Sequence, residues 1–196
     1  MTQHIVIAGP ASQLLATKIA TRLDCPVLGT EHKTFPDGEI YLRIQLDEED
    51  TIKGKDVLIV QSTAADGDGD QNKHLFQLLM MISSVKRMDA TKIRVIVPYL
   101  AYARQDKAFR PGECLFSQEL LRMIEHAGAT EFYTVDVHAE HVFESVSIPT
   151  YNLDPMQALA NYMQKIKLQD PVVICPDKGA YERSRAFAKY LGDQIP

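Results

Sequence analysis

The sequence has no tryptophan, only three cysteines and no long apolar run. Cys25, Cys114 and Cys175 are far apart and form no Cys-x-x-Cys pair, so neither a zinc site nor a disulfide framework is indicated. No stretch approaches the roughly 18 apolar residues that a membrane-spanning helix requires, and the first residues lack the basic region of a signal peptide. The sequence therefore predicts a cytoplasmic protein without a membrane partner. Cys25 and Cys175 adjoin strand-like runs and are expected in the core.

An excess of basic residues is also absent. The 21 lysines and arginines are outnumbered by 26 acidic residues, which gives a net charge of −5 and argues against a general nucleic-acid binder. A P-loop, a kinase glycine-rich motif and a nucleophile elbow are missing from the sequence. At 196 residues, the chain is long enough for one domain of about 150 residues and part of another.

Strand-like apolar runs alternate with amphipathic, helix-like segments along most of the chain. The strand-like runs are "HIVIAG", "DVLIVQST", "IRVIVPYL", "EFYTVDVH" and "PVVICPD". This alternation predicts an α/β fold with a parallel sheet flanked by helices. In the first helix, the four-residue spacing of Leu15, Ile19 and Leu23 predicts the buried face, and Ser12 is placed as the N-cap.

Two stretches depart from this alternation. "TEHKTFPDGEIYLRIQLDEED" has a Pro-Asp-Gly turn followed by an alternating run, which predicts a projecting hairpin. From residue 151 onward there are one strand-like run and two helices, and a single strand has no partner. This segment either completes the first sheet or begins a second α/β domain. We favour the second alternative, with a first domain at residues 1–150 and an incomplete second domain at residues 151–196.

Polar residues that follow the strands are the candidates for a ligand site, because ligands bind at the carboxyl ends of the strands in such sheets. Arg104, Gln105, Asp106 and Lys107 follow the third long strand. A guanidinium group fits phosphate oxygens, and a basic cluster attracts an anionic ligand. A solvated surface loop also carries such side chains, so the composition alone leaves both alternatives open.

Acidic residues and a histidine follow the next strands. Asp136 and His138 are two residues apart, so on a strand they would face the same way and could hold a metal ion or form a base with its orienting partner. Asp177 precedes a helix, where capping is the alternative to a ligand role. Phe35 lies on the predicted hairpin, and a projecting loop would expose its ring to a partner surface or a flat ligand. The alternative is a plain turn with a buried ring.

Six of these stretches, taken in order, resemble the ribose-phosphate diphosphokinases, also called 5-phosphoribosyl 1-diphosphate synthetases. They are "FPDGEIYLRI", "VQST", "PYLAYARQDKAF", "TVDVHAEH", "IPTYNL" and "CPDKGAYERS". The resemblance implies transfer of diphosphate from Mg-ATP to the C1 hydroxyl of ribose 5-phosphate, with Mg²⁺ as the cofactor. It also implies two phosphoribosyltransferase-like domains and a homo-oligomer, either a hexamer or a dimer.

The resemblance assigns roles to individual residues. Those implied to bind ATP are Phe35, Asp37, Gly38, Glu39, Arg104, Gln105, Asp106, Lys107 and His138. The turn that carries Phe35 would hold the adenine and reach in from a neighbouring subunit. His138 and Asp177 would serve the Mg²⁺ ion, with Asp136 as a weaker candidate.

Two loops that the family uses are not found among the 196 residues. They are the flexible loop with a catalytic lysine and arginine, and the acidic loop that binds ribose 5-phosphate, so no catalytic residue is identifiable. The favoured interpretation is a diphosphokinase without its C-terminal third, inactive as this chain alone. The alternative is a non-catalytic nucleotide-binding homologue that assembles with full-length subunits and regulates them. A nucleobase phosphoribosyltransferase fits less well, because its acidic-pair loop is absent.

Overall fold

The computed structural model describes residues 4–46, 51–166 and 168–192 and divides into two compact units, residues 1–152 and 153–196. The strands are β1 (His4–Ala8), β2 (Val27–Leu28), β3 (Thr30–Thr34), β4 (Ile40–Ile44), β5 (Asp56–Val60), β6 (Lys92–Val97), β7 (Glu131–Val135) and β8 (Thr150–Leu153). The α-helices are α1 (Gln13–Leu23), α2 (Gln71–Arg87), α3 (Phe116–Ala127), α4 (Met156–Ile166) and α5 (Tyr181–Leu191). Within the described ranges, no helix has the length and apolarity needed to cross a membrane.

A six-stranded sheet forms the centre of the first unit, in the order β2-β1-β5-β6-β7-β8. The pairs from β2 through β7 are parallel, which confirms the predicted α/β fold. In β5 every residue is buried, and alternate residues serve opposite faces. Val57 and Ile59 join the core under α2 and α3, whereas Leu58 and Val60 join the smaller core under α1. Burying each such side chain stabilises the fold by about 1.5–3 kcal/mol.

Helix α1 has the predicted position, but of the three residues predicted for its buried face only Ile19 packs against the core. Ala16 and Ala20 are buried, whereas Leu15 is 40% exposed and Leu23 is 47% exposed. Small side chains allow the helix axis to lie close to the sheet, so the leucine spacing was the wrong guide. Ser12 occupies the predicted N-cap position, but its side chain makes no cap hydrogen bond, because its Oγ accepts one from the Ser62 N–H at 2.7 Å.

The second unit contains α4 and α5, which lie side by side. Gln164 Nε2 links them by donating to the carbonyl oxygens of Tyr190 and Leu191, at 3.1 and 3.2 Å. The run at 171–176 that was predicted to be a strand is not one in the structure, and Ile174 and Cys175 are exposed. The expectation of a buried Cys175 is therefore wrong. A strand needs a neighbour for its backbone hydrogen bonds, and this run is paired with no strand in the part of the chain described. That the unit begins a second α/β domain stays a prediction.

A charged network connects neighbouring strands near their amino ends. Arg94 donates from Nε to Glu131 Oε2 at 3.0 Å and from Nη1 to Asp56 Oδ2 at 3.2 Å. The Tyr133 hydroxyl donates to the same Glu131 oxygen at 2.7 Å, and the Tyr133 ring stacks on Tyr151. Burial favours a higher pKa for Glu131, but the hydrogen bonds from Tyr133 and Arg94 outweigh it and hold the pKa below its usual range. The network therefore keeps Glu131 ionised beside Arg94.

Tyr133 should titrate later than an ordinary tyrosine. Burial, followed by the hydrogen bond to Glu131 and its charge, raises the pKa of Tyr133 to about 12 from 10.0. Because the pKa is raised in the folded state, the stabilisation is complete below pH 10.0 and is lost as pH rises toward about 12. Near-ultraviolet absorbance of tyrosinate should show one late step among the eight tyrosines. Tyr133→Phe should remove that step, and identical curves for the two proteins above pH 10 would contradict the assignment.

Candidate functional site

The segment that leaves β6 is anchored to the end of β5 by the buried residue Thr63. The Thr63 N–H and Oγ1 donate to the Tyr99 carbonyl at 3.0 and 2.8 Å. The Ala101 N–H donates to Thr63 Oγ1 at 2.7 Å. These bonds set the path of the segment at the carboxyl end of the parallel strands, where ligands bind in folds of this class.

Tyr102 fixes the next part of this segment. Its backbone has a positive φ of 61°, which is uncommon for a residue other than glycine and costs of order 1–3 kcal/mol. Its ring lies edge to face with Phe116, with the ring centroids 4.8 Å apart. Its hydroxyl donates to Asn72 Oδ1 at the start of α2. The contacts of the side chain therefore hold the strained backbone in place.

Gln105 is held by its backbone, while its side chain is exposed. Its N–H donates to the Tyr102 carbonyl at 2.9 Å. Its carbonyl accepts a hydrogen bond from the Ser117 Oγ at 2.9 Å, and Ser117 is fully buried at the start of α3. The side chains of Arg104 and Lys107, on either side of it, are also exposed. The arrangement thus presents a guanidinium, an amide and an ammonium group from a backbone whose position is set by hydrogen bonds.

Asp106 differs from its neighbours in the same segment. It is only 6% exposed, and its Oδ2 lies 3.6 Å from Nε2 of His141. The same ring nitrogen lies 3.4 Å from the Asp106 carbonyl oxygen. The carboxylate is thus directed toward the 3₁₀ turn Glu140–Ser145, and its assignment to ATP stays a prediction. No local sequence pattern predicted the contact between Asp106 and His141.

The residues after β7 are placed by a turn, and the strand ends before them. β7 ends at Val135, and Asp136 has a positive φ of 47°. The expectation that Asp136 and His138 face the same way along a strand is therefore wrong. The Val137 N–H donates to Asn152 Oδ1 at 3.0 Å, and His138 is exposed. Asn152 fixes this turn. It lies in the motif "IPTYNL", which was the only sequence signal for it.

Phe35 lies at the tip of the β3–β4 hairpin, whose antiparallel pairing confirms that the predicted hairpin forms. We call residues 35–39 the aromatic turn. The Gly38 N–H donates to the Phe35 carbonyl at 2.9 Å, the Phe35 N–H donates to the Glu39 carbonyl at 2.8 Å, and Gly38 has the left-handed φ of 92° that this turn requires. Phe35 is 40% exposed, and Lys33 Nζ lies 4.7 Å from the centre of its ring. The ring is therefore accessible to a ligand.

Asp177 belongs to the second unit and caps the 3₁₀ turn Lys178–Ala180. Its Oδ1 accepts a hydrogen bond from the Ala180 N–H at 2.9 Å, so the capping alternative is realised. Within the described residues, no group of three or more His, Cys, Asp or Glu side chains is arranged to hold a metal ion. Asp177 and His138 are both exposed. Mg²⁺ prefers oxygen ligands and keeps several waters, so the second carboxylate oxygen of Asp177 fits the ion and the imidazole of His138 is an unusual ligand for it. That the two residues share one ion stays a prediction.

The chain matches known proteins in both sequence and structure. The family model described as the N-terminal domain of ribose phosphate pyrophosphokinase matches residues 4–128. This chain belongs to the ribose-phosphate pyrophosphokinase family. The ribose-phosphate pyrophosphokinase of Methanobrevibacter smithii is 38% identical over 187 residues, which are 95% of this chain and 60% of that protein. The one from Halalkalibacterium halodurans is 38% identical over 177 residues, which are 90% of this chain and 54% of that protein.

A solved structure agrees with this assignment. The crystal structure of phosphoribosylpyrophosphate synthetase from Mycobacterium smegmatis is 29% identical, with a TM-score of 0.83, and covers 100% of this chain and 63% of that one. These comparisons confirm the predicted family, whose members are enzymes, and its phosphoribosyltransferase-like fold. The chain spans less than two thirds of the length of each of these relatives.

Proposed function

We propose that this chain carries the ATP site of a ribose-phosphate diphosphokinase. The enzyme transfers diphosphate from Mg-ATP to the C1 hydroxyl of ribose 5-phosphate and gives 5-phosphoribosyl 1-diphosphate for nucleotide biosynthesis in the cytoplasm. The observation that carries the proposal is the hydrogen-bonded backbone at Gln105, which presents the exposed side chains of Arg104, Gln105 and Lys107. Family membership supports the reaction, because the relatives carry that name.

The chemistry of the reaction requires positioning and charge neutralisation more than a covalent nucleophile. The Arg104 guanidinium is able to bind two phosphate oxygens at once, and Lys107 adds a second positive charge. Gln105 offers an amide that donates to, or accepts from, a base or a sugar hydroxyl. Because Tyr102 and Ser117 already hold the backbone, little ordering of this segment is needed on binding.

The aromatic turn supplies the other part of the proposed nucleotide site. The exposed Phe35 ring stacks on the adenine, and the carboxylates of Asp37 and Glu39 accept hydrogen bonds from its amino group. In the proposed homo-oligomer this turn reaches the ATP site of a neighbouring subunit. An aromatic ring at the tip of a hairpin has little to pack against in its own chain, which is the physical reason for a partner in this position.

Magnesium is the cofactor that the family implies. His138 and Asp177 are the residues that would hold it, with Asp136 as the weaker candidate, and the ion would neutralise charge on the phosphates. The other proposed site residues of this chain would orient the nucleotide.

Replacing Arg104 tests the proposed phosphate contact directly. Arg104→Ala should weaken Mg-ATP binding at least tenfold, because a charge-assisted hydrogen bond to phosphate is worth about 1.5–3 kcal/mol. The Mg-ATP affinity of Arg104→Lys should lie between those of Arg104→Ala and the unchanged chain, because lysine keeps the charge but lacks the planar guanidinium fork. NMR titration of the 196-residue chain measures such affinities even when binding is weak.

Arg22→Ala is the matched control for this experiment. Arg22 is an exposed arginine in the last turn of α1, so its loss changes the net charge equally, away from the segment after β6. It should leave Mg-ATP binding within about twofold, because exposed charges beyond a Debye length of about 8 Å are screened. Equal losses in the Arg22 and Arg104 variants would show that only overall charge matters and would remove Arg104 from the site.

A further inference from the structure

The aromatic turn is carried by a two-stranded sheet that is separate from the six-stranded sheet. A two-stranded hairpin is only marginally stable in water by itself, so its attachments decide where Phe35 is held. At the base of the hairpin, Thr30 Oγ1 donates to the Ala8 carbonyl at 3.1 Å, and Ile44 is buried in the core. These contacts fix the base of the hairpin and leave its tip to other interactions.

β4 lies against α2, but the tip of the hairpin is not closely packed on the first turns of that helix. One cleft, of about 480 Å³, lies beside α1 and away from the hairpin. A second cleft, of about 360 Å³, separates the hairpin tip from the first turns of α2. The second cleft is lined from the hairpin by Thr34, Gly38 and Ile40 and from the helix by Asp70, Asn72, Lys73 and Phe76. Beside this second cleft, a polar contact links the hairpin to the segment that precedes α2.

That contact joins His32 on β3 to Asp68, which lies 36 residues later in the chain. His32 Nε2 and Asp68 Oδ2 are 2.7 Å apart, and the His32 side chain is only 20% exposed. We propose that the His32–Asp68 pair positions the aromatic turn for nucleotide binding. The proposal rests on the function proposed above and assigns His32 a positioning role in it.

Asp68 is suited to this role because its own turn is fixed. We call residues 64–70 the acidic turn. Asp66 Oδ1 accepts hydrogen bonds from the N–H groups of Asp68 and Gly69, at 2.8 and 3.1 Å. Lys73 Nζ donates to the Asp68 carbonyl at 2.5 Å and lies 3.6 Å from its carboxylate. A carboxylate held in this way is a fixed point against which His32 sets the hairpin.

The acidic turn is itself attached to α2. Asp70 caps the helix by accepting a hydrogen bond from the Lys73 N–H at 2.8 Å. The fully buried His74 lies with its Nδ1 2.6 Å from the Ala64 carbonyl and its Nε2 3.3 Å from Asp66 Oδ1. The same end of α2 holds Tyr102 through Asn72. One helix end thus supports both the segment after β6 and the contact that fixes the aromatic turn.

Electrostatics support this arrangement. The hydrogen bond from His32, assisted by the charge of Lys73, holds the pKa of Asp68 below its usual range despite some loss of hydration. Asp68 therefore stays ionised at neutral pH, and its stabilising effect is lost only as pH falls through this lowered pKa. An ionised acceptor makes the stronger hydrogen bond.

The experiment measures the turn and the nucleotide separately in the 196-residue chain. His32→Leu removes the donor and keeps a side chain of similar bulk, whereas His32→Gln keeps an N–H donor. In His32→Leu, hydrogen exchange at the Phe35 and Gly38 amides should be about three- to tenfold faster, since one charge-assisted hydrogen bond is lost. Mg-ATP affinity, measured at a concentration at which the chain self-associates so that the turn reaches a neighbouring site, should fall by a similar factor, and His32→Gln should restore most of both.

Glu31→Ala is the matched control on the same strand. Glu31 lies 3.6 Å from Arg43 across the hairpin and is paired with it in register, so its loss changes charge without touching the acidic turn. Both readouts should stay at their original values in this variant. Asp68→Ala, at a carboxylate that is 54% exposed, breaks the same pair from the other side and replaces His32→Leu should that variant fail to fold.

The two readouts separate failure of this proposal from failure of the proposed function. Unchanged hydrogen exchange in His32→Leu or Asp68→Ala would overturn the pair as the device that fixes the turn. Faster exchange with unchanged Mg-ATP affinity would overturn the link to nucleotide binding and would count against the adenine role of the aromatic turn. If Glu31→Ala also showed faster exchange and weaker affinity, the cause would be a general loosening of the hairpin. That result would overturn the specific role of the His32–Asp68 pair.

Discussion

The 196-residue chain, incubated with ATP, Mg²⁺ and ribose 5-phosphate, should release no AMP above the uncatalysed background. The exposed Arg104 and Lys107, which we propose contact the nucleotide, lie in the segment that follows β6. The loops that the family uses for the acceptor and for the transferring group are not found among these 196 residues. Binding and turnover should therefore separate in this chain.

The size of the expected loss follows from what those loops do. A positioned cation at the transferring phosphoryl group is worth about 10³–10⁵ in rate in related phosphoryl transfers. Fixing the acceptor in line contributes about 7–11 kcal/mol through positioning alone. Removing both contributions brings an ordinary enzyme rate below the detection limit of a steady-state assay.

A full-length relative is the positive control for this assay, such as the Methanobrevibacter smithii protein, of which this chain spans 60%. AMP release should be measured at matched protein concentration, with NMR titration confirming that the chain is folded and binds Mg-ATP. Turnover on the order of 1 s⁻¹ by the purified chain would show that its own residues replace the two loops. A change in the rate of added full-length subunits would favour the regulatory alternative.

The alternation of apolar runs was sufficient to predict the parallel sheet and four of its strands, β1, β5, β6 and β7. It was sufficient because β5 and β6 are short, rich in β-branched residues and bounded by turn residues. Each of these strands can therefore be recognised from its own residues alone. The two-residue strand β2 and the strand β8 were missed. Both are short edge strands whose existence depends on the neighbour with which they pair, and no local pattern records that neighbour.

The candidate site was predicted in part for a similar reason. The side chains of Arg104 and Gln105 follow a strong strand signal, so their place at the sheet edge could be inferred. Ser117 and Asn152 hold the site through long-range contacts to backbone atoms, and composition gives no sign of such contacts. The inference for Asp136 failed because β7 ends at Val135, whereas the predicted strand ran to His138, and strand boundaries are the least certain part of a pattern.

Gly9 is the position at which a single added methyl group should cost the most stability. Its φ is −67°, so alanine would fit the backbone. A Cβ at this position would lie 2.2 Å from Gln61 Oε1 and 2.8 Å from the Val60 carbonyl oxygen. The Gly9 N–H donates to that carbonyl at 2.9 Å, so the backbone cannot retreat without breaking the continuation of the β1–β5 pairing.

The Gln61 side chain cannot turn away freely either. It is fully buried, and its Oε1 accepts a hydrogen bond from the Ala11 N–H at 3.1 Å. Its Nε2 lies 3.4 Å from both the His74 carbonyl and Gln77 Oε1. Rotating the amide would leave buried polar groups without partners, which costs about 1–3 kcal/mol, in addition to about 1–3 kcal/mol of overpacking.

Gly9→Ala should therefore lower the free energy of unfolding by about 2–4 kcal/mol. Urea denaturation followed by far-ultraviolet circular dichroism measures this, since the chain has no tryptophan. Gly67→Ala is the matched control, because nothing lies within 4 Å of a Cβ at that position, and it should change stability by less than about 0.5 kcal/mol. Equal midpoints for the two variants would mean that Gln61 does not cross over Gly9. The carboxyl edge of β1 and β5, next to the proposed nucleotide site, would then be less tightly built than the structure shows.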